Sequence, residues 1–282
     1  MTEDRRHLAI RRILVALDTS PHSQAAMEAA IELAARFEAE LAGMFVEDVN
    51  LLRLADLPFA YEVSLTSATR RPLNAQELER QIRAQGTHIR RRLAGATERR
   101  QVRWTFSVSR GAVTPELLAA SKEADVIILG RAGSSVIARG RMGSTARAIV
   151  AERGGLTLVL HKGTCLGSPV MTIYDGSLAA QEALSAAATL AERDDGSLKV
   201  LLVGGQSSQV DELEAAVDEQ LAGEDLKPAF RRLVRPTVGN LVRIIHDEGC
   251  GLLVLPARSP LLHGEAVTAL LDRIQVPVLV VR

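Results

Sequence analysis

The chain has 282 residues, a length that suits two domains of ordinary size better than one. Its 34 basic and 34 acidic residues balance to zero net charge, so the composition provides no electrostatic field for nucleic acid or an anionic membrane surface. Two cysteines, Cys165 and Cys250, fit neither a disulfide scaffold nor a metal cage, and residues 1–12 do not resemble a secretion signal. We therefore expect a cytoplasmic protein that binds neither nucleic acid nor membranes.

The first half of the chain alternates short apolar runs with amphipathic stretches. Such runs predict buried strands, and apolar residues at helical spacing predict helices. The predicted strands are 13–17, 41–46, 102–109, 126–129 and 156–160. The predicted helices are one that follows the turn 18–21 with an apolar face from Ala26 to Phe37, then 75–93, 114–122 and one that opens at Ser144 with a Ser or Thr cap. Because strands alternate with helices, we expect a parallel sheet covered on both faces.

Residues 50–73 are the least regular part of this half, and a connection of that length is either functional or mobile. We interpret its large apolar side chains as core or interface packing rather than as a second pocket. They are Leu51, Leu52, Leu54, Leu57, Phe59 and Tyr61.

The second half of the chain repeats the first. Residues 173–177 match residues 16–20, and the apolar runs 200–203, 229–235, 251–255 and 278–281 follow in the same order as the strands of the first half. We therefore predict two copies of one α/β unit, in residues 1–163 and 169–282, joined by a linker that contains glycine and proline.

A glycine-rich stretch connects the fourth predicted strand to the helix that opens at Ser144. It contains Gly130, Gly133, Gly140 and Gly143. Glycines let the backbone approach a ligand, and the first N–H groups of a helix have no internal partner, so the stretch predicts an anion site. A tight turn would explain one glycine pair, but four glycines before Ser144 and Thr145 favour phosphate binding. On this loop Arg139 and Arg141 either clamp phosphates or are solvated charges.

The second copy differs at the same place, where the loop is five residues shorter. The equivalent positions are Pro256 for Gly130, Ser259 for Gly133 and Glu265 for Ser144. The proline lacks a backbone donor, and the glutamate places a carboxylate beside the expected phosphate. We predict that the second copy does not hold a triphosphate in this way.

These features resemble the universal stress proteins, here in a tandem two-domain form, over nearly the whole chain. The resemblance rests on the spacing Gly-x2-Gly-x9-Gly-Ser, at Gly130, Gly133, Gly143 and Ser144, and on the first-strand ending 15–20. It implies two five-stranded parallel-sheet domains of Rossmann-like (adenine nucleotide alpha hydrolase-like) α/β fold, packed as a pseudo-dimer through their last strands.

The resemblance also implies a site for ATP, or for AMP or ADP, with or without Mg²⁺. In similar ATP-binding members the first-strand aspartate and the end of the second strand contact the base, and the glycine loop and the hydroxyls that follow take the ribose and phosphates. Transferred by position, the implied residues are Asp18, Val46, Gly130, Gly133, Gly143, Ser144 and Thr145, to which we add Arg139. Asp18 fits only as a hydrogen-bond acceptor for base or sugar, unless it merely caps the first helix; for Asp175 in the second copy we favour the cap.

The sequence contains no P-loop, nucleophile elbow or metal-ligand spacing, and no residue stands out as a general base. Three functions therefore stay open. The first is a nucleotide-binding stress or regulatory module with ATP in the N-terminal copy only. The second is a slow ATPase or nucleotidyl transferase. The third is a nucleotide-free interaction protein that works through residues 51–61 and an unknown protein partner. An uncovered sheet edge also favours a homodimer.

Overall fold

The computed structural model describes residues 8–57, 59–63, 70–133, 141–260 and 264–282. The strands are β1 (Arg12–Ala16), β2 (Glu40–Asp48), β3 (Tyr61–Val63), β4 (Arg70–Pro72), β5 (Trp104–Gly111), β6 (Val126–Gly130), β7 (Leu156–Leu160), β8 (Val170–Tyr174), β9 (Leu198–Gly204), β10 (Ala229–Val234), β11 (Leu252–Pro256) and β12 (Val278–Val281). The helices are α1 (Pro21–Phe37), α2 (Val49–Ala55), α3 (Ala75–Glu98), α4 (Val113–Ser121), α5 (Ser144–Glu152), α6 (Leu178–Glu192), α7 (Ser207–Gln220), α8 (Val238–Asp247) and α9 (Glu265–Arg273). Within these residues, no helix is long and apolar enough to cross a membrane.

Ten of the strands form one sheet in the order β10-β9-β8-β11-β12-β7-β6-β1-β2-β5. The five strands of each half run parallel to one another, and the two halves meet where β7 and β12 pair antiparallel, with Val159 opposite Val278. The sequence-based prediction of two five-stranded parallel sheets joined through their last strands is therefore confirmed.

The core consists of two layers, one on each face of the sheet. Successive residues of a strand point to opposite faces, so Ile13 and Val15 belong to one layer while Leu14 belongs to the other. Each layer continues across both halves of the chain, since α1 and α6 share one face and α5 and α9 share the other. The two copies therefore bury their apolar side chains together.

The segment predicted to be irregular contains regular structure. It includes α2 and an antiparallel hairpin of β3 and β4 in which Tyr61 lies opposite Pro72. Leu52 is half-buried against the core, but the large side chains around it are exposed, including 48% of Leu54 and 69% of Phe59. The prediction that these residues pack in the core of the chain is wrong for all of them except Leu52, and packing at an interface stays a prediction.

Candidate functional site

A cavity lies where the order of the strands reverses. The chain runs from β1 to β2 on one side and later returns to place β6 on the other side of β1. Loops that leave adjacent strands in opposite directions open a crevice at the carboxyl ends of those strands. A cavity of about 220 Å³ occupies this crevice, between the ends of β1, β2 and β6 and the start of α5.

The cavity brings together most of the residues predicted from the sequence. Its lining includes Asp18, Val46, Gly130, Gly133 and Thr145. Gly143 and Ser144 are not part of that lining, but they form the start of α5, as its N-cap and its first residue. Arg139 lies outside the described residues, as does Gly140.

Asp18 presents a hydrogen-bond acceptor to the cavity. One carboxylate oxygen, Oδ1, accepts a hydrogen bond from the backbone N–H of Ser20 at 2.8 Å. The other oxygen, Oδ2, lies 3.1 Å from the position that a Cβ on Gly133 would take. A side chain at position 133 would therefore crowd Oδ2, and the glycine keeps space beside it. Capping of α1 is done by Ser20, whose hydroxyl accepts from the backbone N–H of Ser23 at 3.1 Å.

Gly130 has a packing role that differs from the predicted one. A Cβ at this position would lie 2.7 Å from the backbone carbon of His22 and 2.9 Å from the backbone nitrogen of Ser23. The first turn of α1 crosses the end of β6 too closely for any side chain there. The absence of a side chain at Gly130 is therefore required by the contact between helix and strand, independently of any phosphate.

The start of α5 suits an anion. Its N-cap, Gly143, makes no side-chain capping bond, and the first turn contains no acidic residue. The prediction of a Ser or Thr cap is wrong, because the cap lies one residue earlier and has no side chain. Backbone N–H groups and the positive end of the helix dipole are thus offered toward the side of the cavity lined by Thr145.

Arg131 lines the cavity, and His22 contacts Gly130, which also lines it. Arg131 is buried, which lowers the pKa of its guanidinium, while nearby Asp272 raises that pKa. The pKa of His22 is lowered mainly by burial and further by His161 and Lys162. Its Nδ1 accepts the backbone N–H of Lys162 at 2.9 Å, a role that requires this nitrogen to be unprotonated.

The sequence matches a known family over half of its length. The sequence model described as the universal stress protein family matches residues 9–152. The chain belongs to the universal stress protein family. Universal stress proteins of Mycobacterium tuberculosis and Mycobacterium bovis are each 27% identical to it over 233 residues, which cover 72% of this chain and 76% of theirs.

A solved structure with the same architecture is a universal stress protein from Archaeoglobus fulgidus. It superposes with a TM-score of 0.74 at 15% sequence identity, and the match covers 96% of this chain and 98% of that one. At this level of identity the likeness concerns the fold. It extends through both halves of the present universal stress protein, because the match covers nearly all of both chains.

In this universal stress protein the second copy fills the crevice that the first leaves open. The buried hydroxyl of Ser259, at the position of Gly133, donates a hydrogen bond to Oδ2 of Asp175. Oδ1 of Asp175 accepts from the hydroxyl and backbone N–H of Ser177. Ser177 is itself the N-cap of α6, so the predicted capping role of Asp175 is wrong.

The two copies also differ in the side chains around this aspartate. Tyr174, only 1% exposed, stands where the first copy has Leu17. Leu213 of α7 lies so close that a Cβ on Gly176 would be 2.8 Å from its Cδ2 atom. The first copy has Thr19 at the position of Gly176, and Thr19 lines the cavity.

Several residues of the cavity were missed from the sequence. They are Met44, Asp48, Leu51, Gln85, Val113, Leu117, Arg131 and Ala146. Asp48 and Val113 follow the predicted ends of strands, so their place at this edge of the sheet could have been predicted. Gln85 and Leu117 lie on helices, and only the docking of those helices brings them to the crevice.

Proposed function

We propose that this universal stress protein binds one adenine nucleotide per chain, ATP or else AMP or ADP, in the N-terminal cavity only. Occupancy of that cavity would serve as the signal in a regulatory or stress-response role. The observation that carries the proposal is the contrast between the two aspartates: Gly133 leaves space beside Oδ2 of Asp18, whereas Ser259 bonds Oδ2 of Asp175. The two free cysteines suit a cytoplasmic location.

The residues of the cavity fit the parts of a nucleotide. Met44, Val113 and Leu117 provide apolar surface for a purine ring, and Asp18 provides an acceptor for amino or hydroxyl groups. The cavity of about 220 Å³ is smaller than the ~300–1,000 Å³ of typical small-molecule pockets. Base and ribose would therefore fill it, and the phosphates would extend toward the uncapped start of α5, together with any Mg²⁺ they bring.

Calorimetric titration of the full chain with ATP tests this proposal through a matched pair of variants. Asp18→Ala and Asp175→Ala each remove the acceptor of a serine backbone N–H, and Asp175→Ala also removes the acceptor of the Ser177 and Ser259 hydroxyls, so it perturbs its own half at least as much. We expect a stoichiometry near one, a loss of affinity of roughly tenfold or more for Asp18→Ala, and no change for Asp175→Ala. Two nucleotides per chain, or equal effects of the two variants, would contradict the proposal.

Mass spectrometry of the small molecule released on denaturation would identify which nucleotide the protein retains. AMP, ADP or ATP in the released fraction would support the site directly. If calorimetry shows no binding and no nucleotide is released on denaturation, the proposed site is contradicted.

The exposed apolar residues between 51 and 61 favour a second function, association with another copy of the chain. Leu54, Phe59 and Tyr61 are each at least 45% exposed, and Leu51 is both exposed and part of the cavity lining. Several large, exposed apolar side chains in one short stretch of chain favour an interaction site. Sedimentation velocity should then show a dimer that the double variant Leu54→Glu, Phe59→Glu converts to a monomer. A wild-type chain that is monomeric at all concentrations would contradict this function.

A further inference from the structure

A side chain of the C-terminal half holds the glycine loop of the N-terminal half. Oδ1 of Asp272, in the last turn of α9, accepts the backbone N–H of Met142 at 2.7 Å. Met142 is buried and directly precedes Gly143, the N-cap of α5. The bond therefore fixes the described backbone immediately before the helix start at which we propose that phosphates bind.

Arg131, on the other described flank of the loop, makes a second connection between the halves. It donates hydrogen bonds from Nη2 to the carbonyl of Asp272 at 2.6 Å and from Nη1 to the carbonyl of Ile274 at 3.1 Å. The carbonyl of Arg131 accepts the backbone N–H of Gly143 at 2.8 Å. Both described flanks of the loop are thus tied to each other and to the end of α9.

The carboxylate of Asp272 faces a second guanidinium from the N-terminal half. Arg147 of α5 lies 3.5 Å from Oδ2, and Arg131 lies 3.9 Å from Oδ1. A carboxylate in the last turn of a helix is disfavoured by the dipole of that helix. The position of Asp272 is therefore unfavourable for α9 itself. Within the part of the chain that the structure describes, the hydrogen bond and ion pairs of its carboxylate come from the N-terminal half.

The connection is not repeated in the opposite direction. Aligning α5 on α9 places Ala151 at the position of Asp272, and Ala257 stands at the position of Arg131. The equivalence of Arg131 and Ala257 is supported by their backbone hydrogen bonds. The backbone N–H of Arg131 donates to the carbonyl of Leu160, and the backbone N–H of Ala257 donates to the carbonyl of Val281. Neither alanine has a side chain that could make the hydrogen bonds that Asp272 and Arg131 make.

We propose that Asp272 is a positioning residue for the nucleotide site of the N-terminal half. The C-terminal half would complete the nucleotide site of the N-terminal half by fixing the backbone at Met142 and the start of α5. This inference rests on the proposed nucleotide binding for its functional consequence, whereas the positioning of the loop can be measured without ligand.

Amide hydrogen exchange and ATP titration of the full chain test the proposal with Asp272→Ala and Asp272→Asn. The alanine variant removes the acceptor of the Met142 amide, so we expect that amide to exchange at least tenfold faster and ATP to bind roughly tenfold more weakly. The asparagine variant keeps an acceptor oxygen while it loses the charge. We expect it to restore both the protection of the amide and the affinity for ATP.

Asp218→Ala is the matched control, because Asp218 is an exposed aspartate in the last turn of another C-terminal helix, α7. It should change neither measurement. If Asp272→Ala fails to fold, Asp272→Ser replaces it, since its shorter side chain cannot reach the Met142 amide. Unchanged exchange at Met142, or faster exchange with unchanged ATP affinity, would overturn the proposal. If the wild-type chain binds no ATP but Asp272→Ala still accelerates exchange at Met142, the positioning of the loop is supported and the proposed nucleotide function is what fails.

Discussion

The substitution Gly133→Ser would place in the first copy the serine that the second copy has beside its aspartate. Gly133 and Ser259 are equivalent, and the Ser259 hydroxyl bonds the aspartate at the end of its first strand. A Cβ at position 133 would lie 3.1 Å from Oδ2 of Asp18, so an added hydroxyl falls within reach of that oxygen after a shift of a few tenths of an ångström. The backbone at Gly133 does not have a positive φ, so serine causes no strain of that kind.

The magnitude follows from the competition for Oδ2. A hydrogen bond to a charged group contributes about 1.5–3 kcal/mol, and a nucleotide would have to break the new bond in order to use the carboxylate. We therefore expect the dissociation constant for ATP to rise by about 10- to 150-fold. The thermal unfolding temperature should stay the same or rise slightly, because the new bond satisfies a partly buried acceptor.

Calorimetric titration with ATP and a thermal melt of the same samples measure both quantities. Gly154→Ser is the matched control, since a Cβ at Gly154 would meet no atom within 4 Å. The reverse change, Ser259→Gly, should create no second site, because Leu213 still lies against Gly176 beside Asp175. If Gly133→Ser binds ATP as tightly as the wild-type chain, Asp18 is not the acceptor and the reasoning is refuted.

Three further predictions concern stability and reactivity. Burial lowers the pKa of His22 below its ordinary value of 6.5, so the unfolded chain binds a proton at this ring more readily than the folded chain does. The stability that neutral His22 contributes to the folded chain is therefore complete above pH 6.5 and is lost as the pH falls through the lowered pKa. Unfolding free energies measured from pH 7 to 5 should fall less in His22→Asn, and equal slopes would contradict this. Cys250 is buried and its pKa is raised to about 12, so a thiol reagent should label the exposed Cys165 at once and Cys250 only on unfolding. Fast labelling of both thiols in the folded chain would contradict this prediction. Leu158→Ala, at the pairing of β7 with β12, should lower the free energy of unfolding by about 2–5 kcal/mol. Unfolding in urea should remain a single transition, so that the fluorescence of Trp104 in the N-terminal half and the circular dichroism of the whole chain give the same curve. Separate curves would show that the halves unfold independently.

Local features of the sequence were sufficient to predict the repeat and the succession of strands along the chain, and the glycine spacing carried the resemblance to the family. Strands such as 126–129 are short apolar runs bounded by a charge and a glycine, and this pattern depends on neighbouring residues only. The position of Asp18 at a strand end also predicts where it lies, because all carboxyl ends of a parallel sheet share one edge. The division into residues 1–163 and 169–282 and the roles of the site residues stay predictions.

The sequence predicted that the two copies differ, but only the tertiary structure shows which contacts surround Asp175 in the second copy and what holds the loop of the first. The bond from Ser259 to Asp175 joins residues 84 positions apart, and the bond from Met142 to Asp272 joins residues 130 positions apart. The contact of Gly130 with the backbone of His22 is likewise visible only in the folded chain, and it requires a glycine at that position whether or not a phosphate binds there. Periodicity and turn residues report the conformation of a chain segment, whereas these contacts depend on how helices dock across the sheet and between the two copies. That docking is set by packing over the whole core, which no local pattern records.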